Sequence, residues 1–195
     1  QDRFYVFILT HLHSLAKDAV ATHPNSTDLV IEHILSNLTD TYGDRAAIQT
    51  NTSPENWAFN NAGGAMGAML IIHALITEYL IIFGTPLGME GHTGRHTVDN
   101  YLHILEGEQW VFEAGELTKT VYTPGMVDHM SRGVVRQYKM HKGCWAMEYS
   151  RGWIPPMLPF ALADSLTSTL DVSTLYNTVR ITTREMIRNL VRGKI

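Results

Sequence analysis

Most features that would announce a function at once are missing from this sequence. Its 195 residues hold one cysteine, Cys144. No intramolecular disulfide can form, and the thiol count neither demands nor excludes an oxidising compartment. Charged side chains make up 17% of the chain, with 15 Lys and Arg against 19 Asp and Glu and a net charge of −4. A global basic field is therefore lacking, which argues against nucleic acid as a partner. No uncharged apolar run reaches the roughly 20 residues of a spanning helix. The cluster Phe4 to Leu9 is broken by His11 and His13, and the stretch Met66 to Phe83 carries His73, Thr77 and Glu78. No basic start and no small-residue cleavage site mark a signal peptide. The chain begins on Gln1 rather than Met, and the expectation is a fragment of a longer chain whose missing start holds an anchoring helix. Repeats and low-complexity tracts are absent as well, so a single structural domain is expected.

What is present is ordinary core-forming material. Hydrophobic residues reach 45% and aromatic residues 9%, and a chain of this length buries roughly 70% of its unfolded surface without a disulfide or structural metal. After a Pro-Asn-Ser-Thr-Asp start signal, Leu29, Val30, Ile34, Leu35 and Leu38 recur at helical spacing, which predicts an amphipathic helix over Asn25 to Tyr42. From Trp57 to about Gly152 the chain is rich in β-branched and aromatic residues and punctuated by glycine, as short strands are. Strands are predicted at Met69 to Ala74, Glu78 to Phe83, Gln109 to Ala114, Lys119 to Tyr122, Val134 to Met140 and Cys144 to Tyr149, in a small antiparallel barrel or sandwich. After Pro155-Pro156, helices are predicted over Phe160 to Leu170 and Asp171 to Arg192. In the second, Arg180, Arg184, Arg188 and Arg192 share one face, suited either to an anionic membrane surface or to solvent. The expected division is 1–56 helical, 57–156 strands and 157–195 helical, to which the resemblance given below adds a ligand pocket in 57–156 and a membrane-facing role for 157–195. Three short glycosylation-type patterns begin at Asn25, Asn37 and Asn51, too common by chance to carry an argument.

Three regions are candidates for chemistry. In the strand Cys144 to Ser150, alternation puts Trp145, Met147 and Tyr149 on one face and Cys144, Ala146, Glu148 and Ser150 on the other. Glu148 is then central. A buried glutamate keeps its proton and makes a general acid, whereas on an exposed face it is an ordinary surface residue. Between Gly88 and His103 stand His92, His96, Asp99 and His103. Gly94 disfavours a helix between the first two histidines, and no metal-binding pattern such as HExxH is present, so no metal is expected. Asp99 reads either as a loop carboxylate or as the partner of another buried carboxyl. The glycine run Asn60 to Met69 matches no phosphate-binding pattern, and close backbone packing explains it better. No GxSxG elbow supports nucleophilic hydrolysis.

Five ordered motifs add a resemblance. They are Asn61-Ala-Gly-Gly-Ala-Met-Gly-Ala-Met69, Glu78-Tyr-Leu-Ile-Ile-Phe-Gly-Thr85, Gly91-His-Thr-Gly-Arg95, Met147-Glu-Tyr-Ser-Arg-Gly-Trp-Ile-Pro155 and Phe160-Ala-Leu-Ala-Asp164. From Trp57 to the C-terminus the chain closely resembles the family shared by fungal Δ8 to Δ7 sterol isomerases and the sigma non-opioid intracellular receptor. That resemblance implies an α+β fold: a cupin-like antiparallel β-barrel with an N-terminal helix and two C-terminal amphipathic helices against a membrane. It also implies residence in the endoplasmic reticulum membrane and assembly as a homotrimer. Glu148 matches the family's essential pocket glutamate, and Tyr79 a tyrosine that hydrogen-bonds it. Met69, Phe83 and Ala161 match pocket-lining positions. The receptor's pocket aspartate falls on Leu102 in an ungapped reading, and Asp99, one helical turn earlier, is the expected second acid.

The implied reaction needs no cofactor. A protonated carboxyl delivers a proton to ring carbon 9 of a Δ8 sterol, a cation develops at carbon 8, and a base removes a proton from carbon 7. Glu148 and Asp99 are expected to share these roles, with Tyr79, Tyr101 or Trp145 adding cation–π stabilisation of about 1 kcal/mol. Cationic amines are expected to mimic the intermediate. The competing class is a sigma-receptor-like protein that binds cationic amphiphiles and sterols without catalysis. A metal-dependent cupin enzyme is a third and weaker alternative.

Overall fold

Apolar spacing changes from helical to alternating near Trp57 and back after Gly152, and the elements follow that change. The structure, a computed structural model, describes residues 5–191. Two helices come first, α1 (Leu9–Thr22) and α2 (Thr27–Tyr42). The hydroxyl of Ser26 caps α2 by accepting from the Leu29 N–H at 3.4 Å. Ten strands follow: β1 (Trp57–Ala62), β2 (Ala65–Ala74), β3 (Glu78–Thr85), β4 (Met89–His92), β5 (Val98–Glu106), β6 (Gln109–Phe112), β7 (Thr120–Tyr122), β8 (Val127–Met130), β9 (Gln137–Met140) and β10 (Cys144–Gly152). The chain closes with α3 (Leu158–Asp164), a π-helical turn over Ser165–Thr169, and α4 (Val172–Val191).

All strand pairs are antiparallel, in two sheets with the orders β1-β2-β3-β10-β5-β8 and β4-β9-β6-β7. The expected α+β architecture holds, with the antiparallel strands arranged as two facing sheets rather than as a closed barrel. The second sheet's strands are only three or four residues long, too short for a continuous ladder around both edges. A bond from the His92 N–H to the Gly63 carbonyl, 2.8 Å, ties the sheets together at the β1–β2 hairpin.

Period-two alternation divides the larger sheet. Leu70, Leu80, Ile82, Met147 and Tyr149 face α1 and α2, where Leu12, Ile34, Leu38 and Tyr42 complete one buried cluster. Met69, Ile71, Ile81, Phe83, Ile104 and Ala146 face the space between the sheets. Strands β1, β4, β5 and β8 were not anticipated from the sequence. In β5 the i,i+4 spacing of Asp99 and His103 imitates a helix, yet Val98, Tyr101, Ile104 and Leu105 are buried in a fully extended segment.

The segment entering α1 is pinned by Glu78, which is fully buried. Its carboxylate accepts from the Val6 N–H at 2.7 Å, the Phe7 N–H at 3.5 Å and the Tyr149 hydroxyl at 2.9 Å. At the other end α4 docks through a polar seam. Ile181, Thr182, Glu185 and Asn189 are its buried residues, and Asn189 accepts from the Ala47 N–H at 2.8 Å while donating to the Glu185 carbonyl at 2.9 Å. Val179, Ile187, Leu190 and Val191 consequently point away from the sheets. Among the described residues no helix is long and apolar enough to cross a membrane. Arg192 lies outside the described residues, as does Phe4 of the Phe4 to Leu9 cluster.

Glu78→Ala strands two backbone donors and a buried hydroxyl, and we expect it to lower the unfolding free energy by about 3 kcal/mol in urea titration. Burial pushes the His103 imidazole down to about 4, against a weaker pull upward from its bond to the Met147 carbonyl. The unfolded chain therefore takes up a proton that the folded chain refuses. Stability should be complete above pH 6.5 and fall on acidification towards pH 4, at about 1.4 kcal/mol per pH unit from this group.

Candidate active site

Glu148 sits in the middle of β10, directly across from Ile81 on β3 and Leu102 on β5. As expected from alternation, it lies on the face of Cys144 and Ala146 and opens into a cavity between the sheets. The Asn100 amide donates to Oε1 at 2.8 Å, and the Ser150 hydroxyl provides a further bond. These neutral donors favour the carboxylate, but burial outweighs them and pushes the Glu148 carboxyl above its ordinary range. No Lys or Arg is among the described residues that line the cavity. A carboxyl so placed, partly exposed in the wall of a largely apolar cavity, can donate a proton.

The remaining walls are mostly apolar. Met69, Ile81, Phe83 and Leu102 come from the large sheet, and Phe160, Ala161 and Leu175 close the cavity from α3 and the start of α4. Gly63 lets this closure happen: it has φ of 63°, and a Cβ there would lie 2.2 Å from the His92 carbonyl oxygen and 2.8 Å from the Phe160 ring. The glycine run thus serves close packing. The Asp164 carboxylate accepts from the Gly64 N–H at 2.8 Å and latches α3 to the same hairpin.

Met69, Tyr79, Phe83, Ala161 and Glu148 all reach the cavity. Tyr79 differs in detail from the expectation, because its hydroxyl bonds the Thr182 side chain of α4. Asn100 is the partner that Glu148 has instead. Asp99, Tyr101 and Trp145 do not reach the cavity. Asp99 is three residues from Leu102, and in a strand an odd offset means the opposite face. There it forms an ion pair with Arg132, Oδ2 to Nη2 at 2.6 Å, which holds its carboxyl below the ordinary range. Tyr101 shares that outer face, stacked on His129 with ring centroids 4.5 Å apart. Trp145 likewise packs on Trp57 away from the cavity. His92 and His96 line the cavity, but each ring is bonded within its own loop, to the Gly94 N–H at 2.9 Å and the Thr93 carbonyl at 2.8 Å. Asp99 and His103 face the other way, and no group of three potential metal ligands converges among the described residues.

The sequence reading missed Asp128 on β8. Leu102 pairs with Glu148 on one side and Asp128 on the other, so the three occupy one cross-strand row on the cavity face. Asp128 is held by Arg136, Oδ1 to Nη1 at 2.7 Å, and by the Tyr122 hydroxyl. Burial pushes its carboxyl up while Arg136 opposes the rise. Its signal was present: Pro124-Gly125 marks a turn, and alternation after it pairs Asp128 with Met130.

Residues 1–194 match the family model described as ERG2 and Sigma1 receptor like protein, and the chain belongs to that family. The C-8 sterol isomerase ERG2 of Gibberella zeae is 55% identical over 194 residues, covering 100% of this chain and 80% of that protein. The C-8 sterol isomerase of Neurospora crassa is 55% identical over 193 residues, covering 99% and 74%. The sigma non-opioid intracellular receptor 1 of Gallus gallus is 39% identical over 131 residues, covering 67% of this chain and 59% of the receptor. Among solved structures, a RmlC-like cupin from Shewanella frigidimarina overlays 56% of this chain and 96% of its own at 15% identity, with a TM-score of 0.44.

The two aspartates differ in burial, which gives a stability test. Asp128→Ala leaves Arg136 without its most buried partner and should cost about 3 kcal/mol. Asp99→Ala removes a partner from the largely exposed Arg132 and should cost about 0.5 kcal/mol. Urea titration of the two variants checks the contrast.

Proposed function

We propose that this chain is a sterol isomerase that moves a ring double bond from Δ8 to Δ7 through a carbocation. The observation that carries the reading is Glu148: a carboxyl whose affinity for its proton is raised by burial, with no cation beside it, in an apolar cavity. The similarity to proteins named C-8 sterol isomerase supports it.

Glu148 gives its proton to carbon 9 as the electrons of the 8,9 double bond form the new C–H bond. Positive charge develops at carbon 8. The carboxylate left behind stabilises that charge strongly once a bound sterol displaces water from the cavity. Carbons 7 and 9 flank carbon 8 and lie about 2.5 Å apart, so the same carboxylate reaches the hydrogen at carbon 7. It takes that proton while the C–H electrons close the 7,8 double bond, and Glu148 is regenerated. The net change moves one proton and one double bond within the molecule, so neither an electron carrier nor a group carrier is required. Asn100 and Ser150 fix the carboxyl's orientation. Cationic amines of sterol length should occupy the place of the cation and inhibit.

The setting of the activity is part of the proposal. Trp153, Leu170, Val172, Tyr176, Ile187 and Val191 expose apolar surface on the α3–α4 side, and this surface suits a membrane that supplies the sterol. Arg184 and Arg188 reach back to Glu185 at 2.9 and 3.1 Å, so they frame that surface from its edge. Residence in the endoplasmic reticulum membrane and homotrimer formation are supported by the family resemblance.

Purified protein in lipid or detergent should convert a Δ8 sterol to its Δ7 isomer. Glu148→Gln should lower turnover about 1,000-fold, whereas Asp99→Asn should leave it within about twofold, as for a surface carboxylate. Tight binding of cationic amines with no Δ7 product would replace the isomerase by the non-catalytic binding reading. Turnover should also fall as pH rises through the raised value of Glu148, since only the protonated carboxyl starts the reaction. The domain should bind anionic vesicles, less so with Arg184→Glu and Arg188→Glu together, and binding unaffected by that pair would contradict the membrane role.

A further inference from the structure

Gln109 opens β6 with its side chain turned into the cavity and only 3% exposed. Its carboxamide oxygen is buried and accepts no hydrogen bond from any described residue. A buried amide oxygen without a donor is costly, and in a binding cavity the missing donor belongs to the ligand. Tyr122 stands directly across the ladder from Gln109, on the same face, and its hydroxyl bonds Asp128. Gln109 and the Asp128 carboxylate therefore form one polar corner in walls that are otherwise largely apolar. The Arg136 guanidinium pairs with that carboxylate and also with Glu113, whose side chain is partly in solvent, leaving a corner better suited to a neutral hydroxyl than to a cation.

Distances along the sheet tie this corner to Glu148. With Leu102 between them in one row, Asp128 and Glu148 stand two strand spacings apart, about 10 Å. In a sterol the 3-hydroxyl oxygen is about 6 Å from ring carbon 9. A hydrogen bond of about 2.8 Å at the hydroxyl end and a contact of about 3 Å between Glu148 and the ring carbon bring a bound sterol to a span of that order.

We infer that Gln109, backed by Asp128, is a hydroxyl-binding subsite that holds the 3-hydroxyl of the sterol and so presents ring carbon 9 to Glu148. This rests on the isomerase reading and adds an orientation to it. The hydroxyl donates to the Gln109 oxygen, ring A lies at the β6–β8 end, and the alkyl tail runs towards Phe160 and Leu175 of the helical wall. An apolar slot alone would let the ring system enter either way round; a hydroxyl acceptor at one end selects one of them.

The test compares a Δ8 sterol with its 3-deoxy analogue, on the full chain in lipid, by turnover and by direct binding. The wild type should favour the hydroxysterol by about 30-fold or more in kcat/KM, because a site built for a hydroxyl rejects the ligand that lacks it. Gln109→Leu, close in shape and free of the unpaired oxygen, should cut that preference to about threefold or less, mainly by raising KM for the hydroxysterol. Equal kcat/KM for the two sterols in the wild type overturns the subsite, as does a folded Gln109→Leu that keeps the full preference. If Gln109→Leu does not fold, the wild-type comparison still decides. Binding separates this inference from the function it rests on: a hydroxyl preference in binding with no conversion removes the isomerase and keeps the subsite. Conversion of both sterols with equal efficiency does the reverse.

Discussion

Keeping a carboxyl group out of water without a neighbouring cation is costly, and much of the fold is arranged around that cost at Glu148. Strand β10 lies between β3 and β5 near the centre of the larger sheet, so its backbone groups are paired on both sides. Alternation then sends Met147 and Tyr149 to the helices and Glu148 to the cavity. Asn100 and Ser150 supply hydrogen bonds but no charge. The desolvation is left largely uncompensated, which makes the proton both retained and transferable.

Two carboxyls on one row show how environment sets role. Glu148 has neutral donors, whereas Asp128 has Arg136 and the Tyr122 hydroxyl. The first is suited to exchange a proton. The second, ion-paired to Arg136, is suited to accept a hydrogen bond, and that pairing offsets charge that would otherwise attract a cation away from Glu148. Closure of the cavity by α3 and α4 serves the same end, because a water-filled cavity would solvate Glu148 and screen any developing positive charge. The polar seam at Asn189 lets α4 dock on the sheets while its apolar side chains turn outward.

Glu148 was legible in the sequence because a single charged residue in an apolar, alternating strand declares its face. Met69, Phe83 and Ala161 followed from the family motifs, and the glycine run from the need for close backbone approach. Asp99 was misread for a physical reason: spacing of i,i+4 suits a helix, and β5 is a strand whose face turned away from the cavity carries Asp99, Tyr101 and His103. Asp128 and Gln109 were missed because their importance comes from cross-strand register. Leu102 links Asp128 to Glu148, and Tyr122 links Gln109 to Asp128. No local pattern encodes contacts between strands separated by tens of residues.

The account depends most on the protonation of Glu148. Infrared difference spectroscopy of the protein against Glu148→Gln, followed through a pH titration, reads that carboxyl directly. The account predicts a protonated carboxyl band that persists above the ordinary value of 4.5. A band that disappears at or below that value would show an ionised, solvated glutamate and contradict its place as the proton donor.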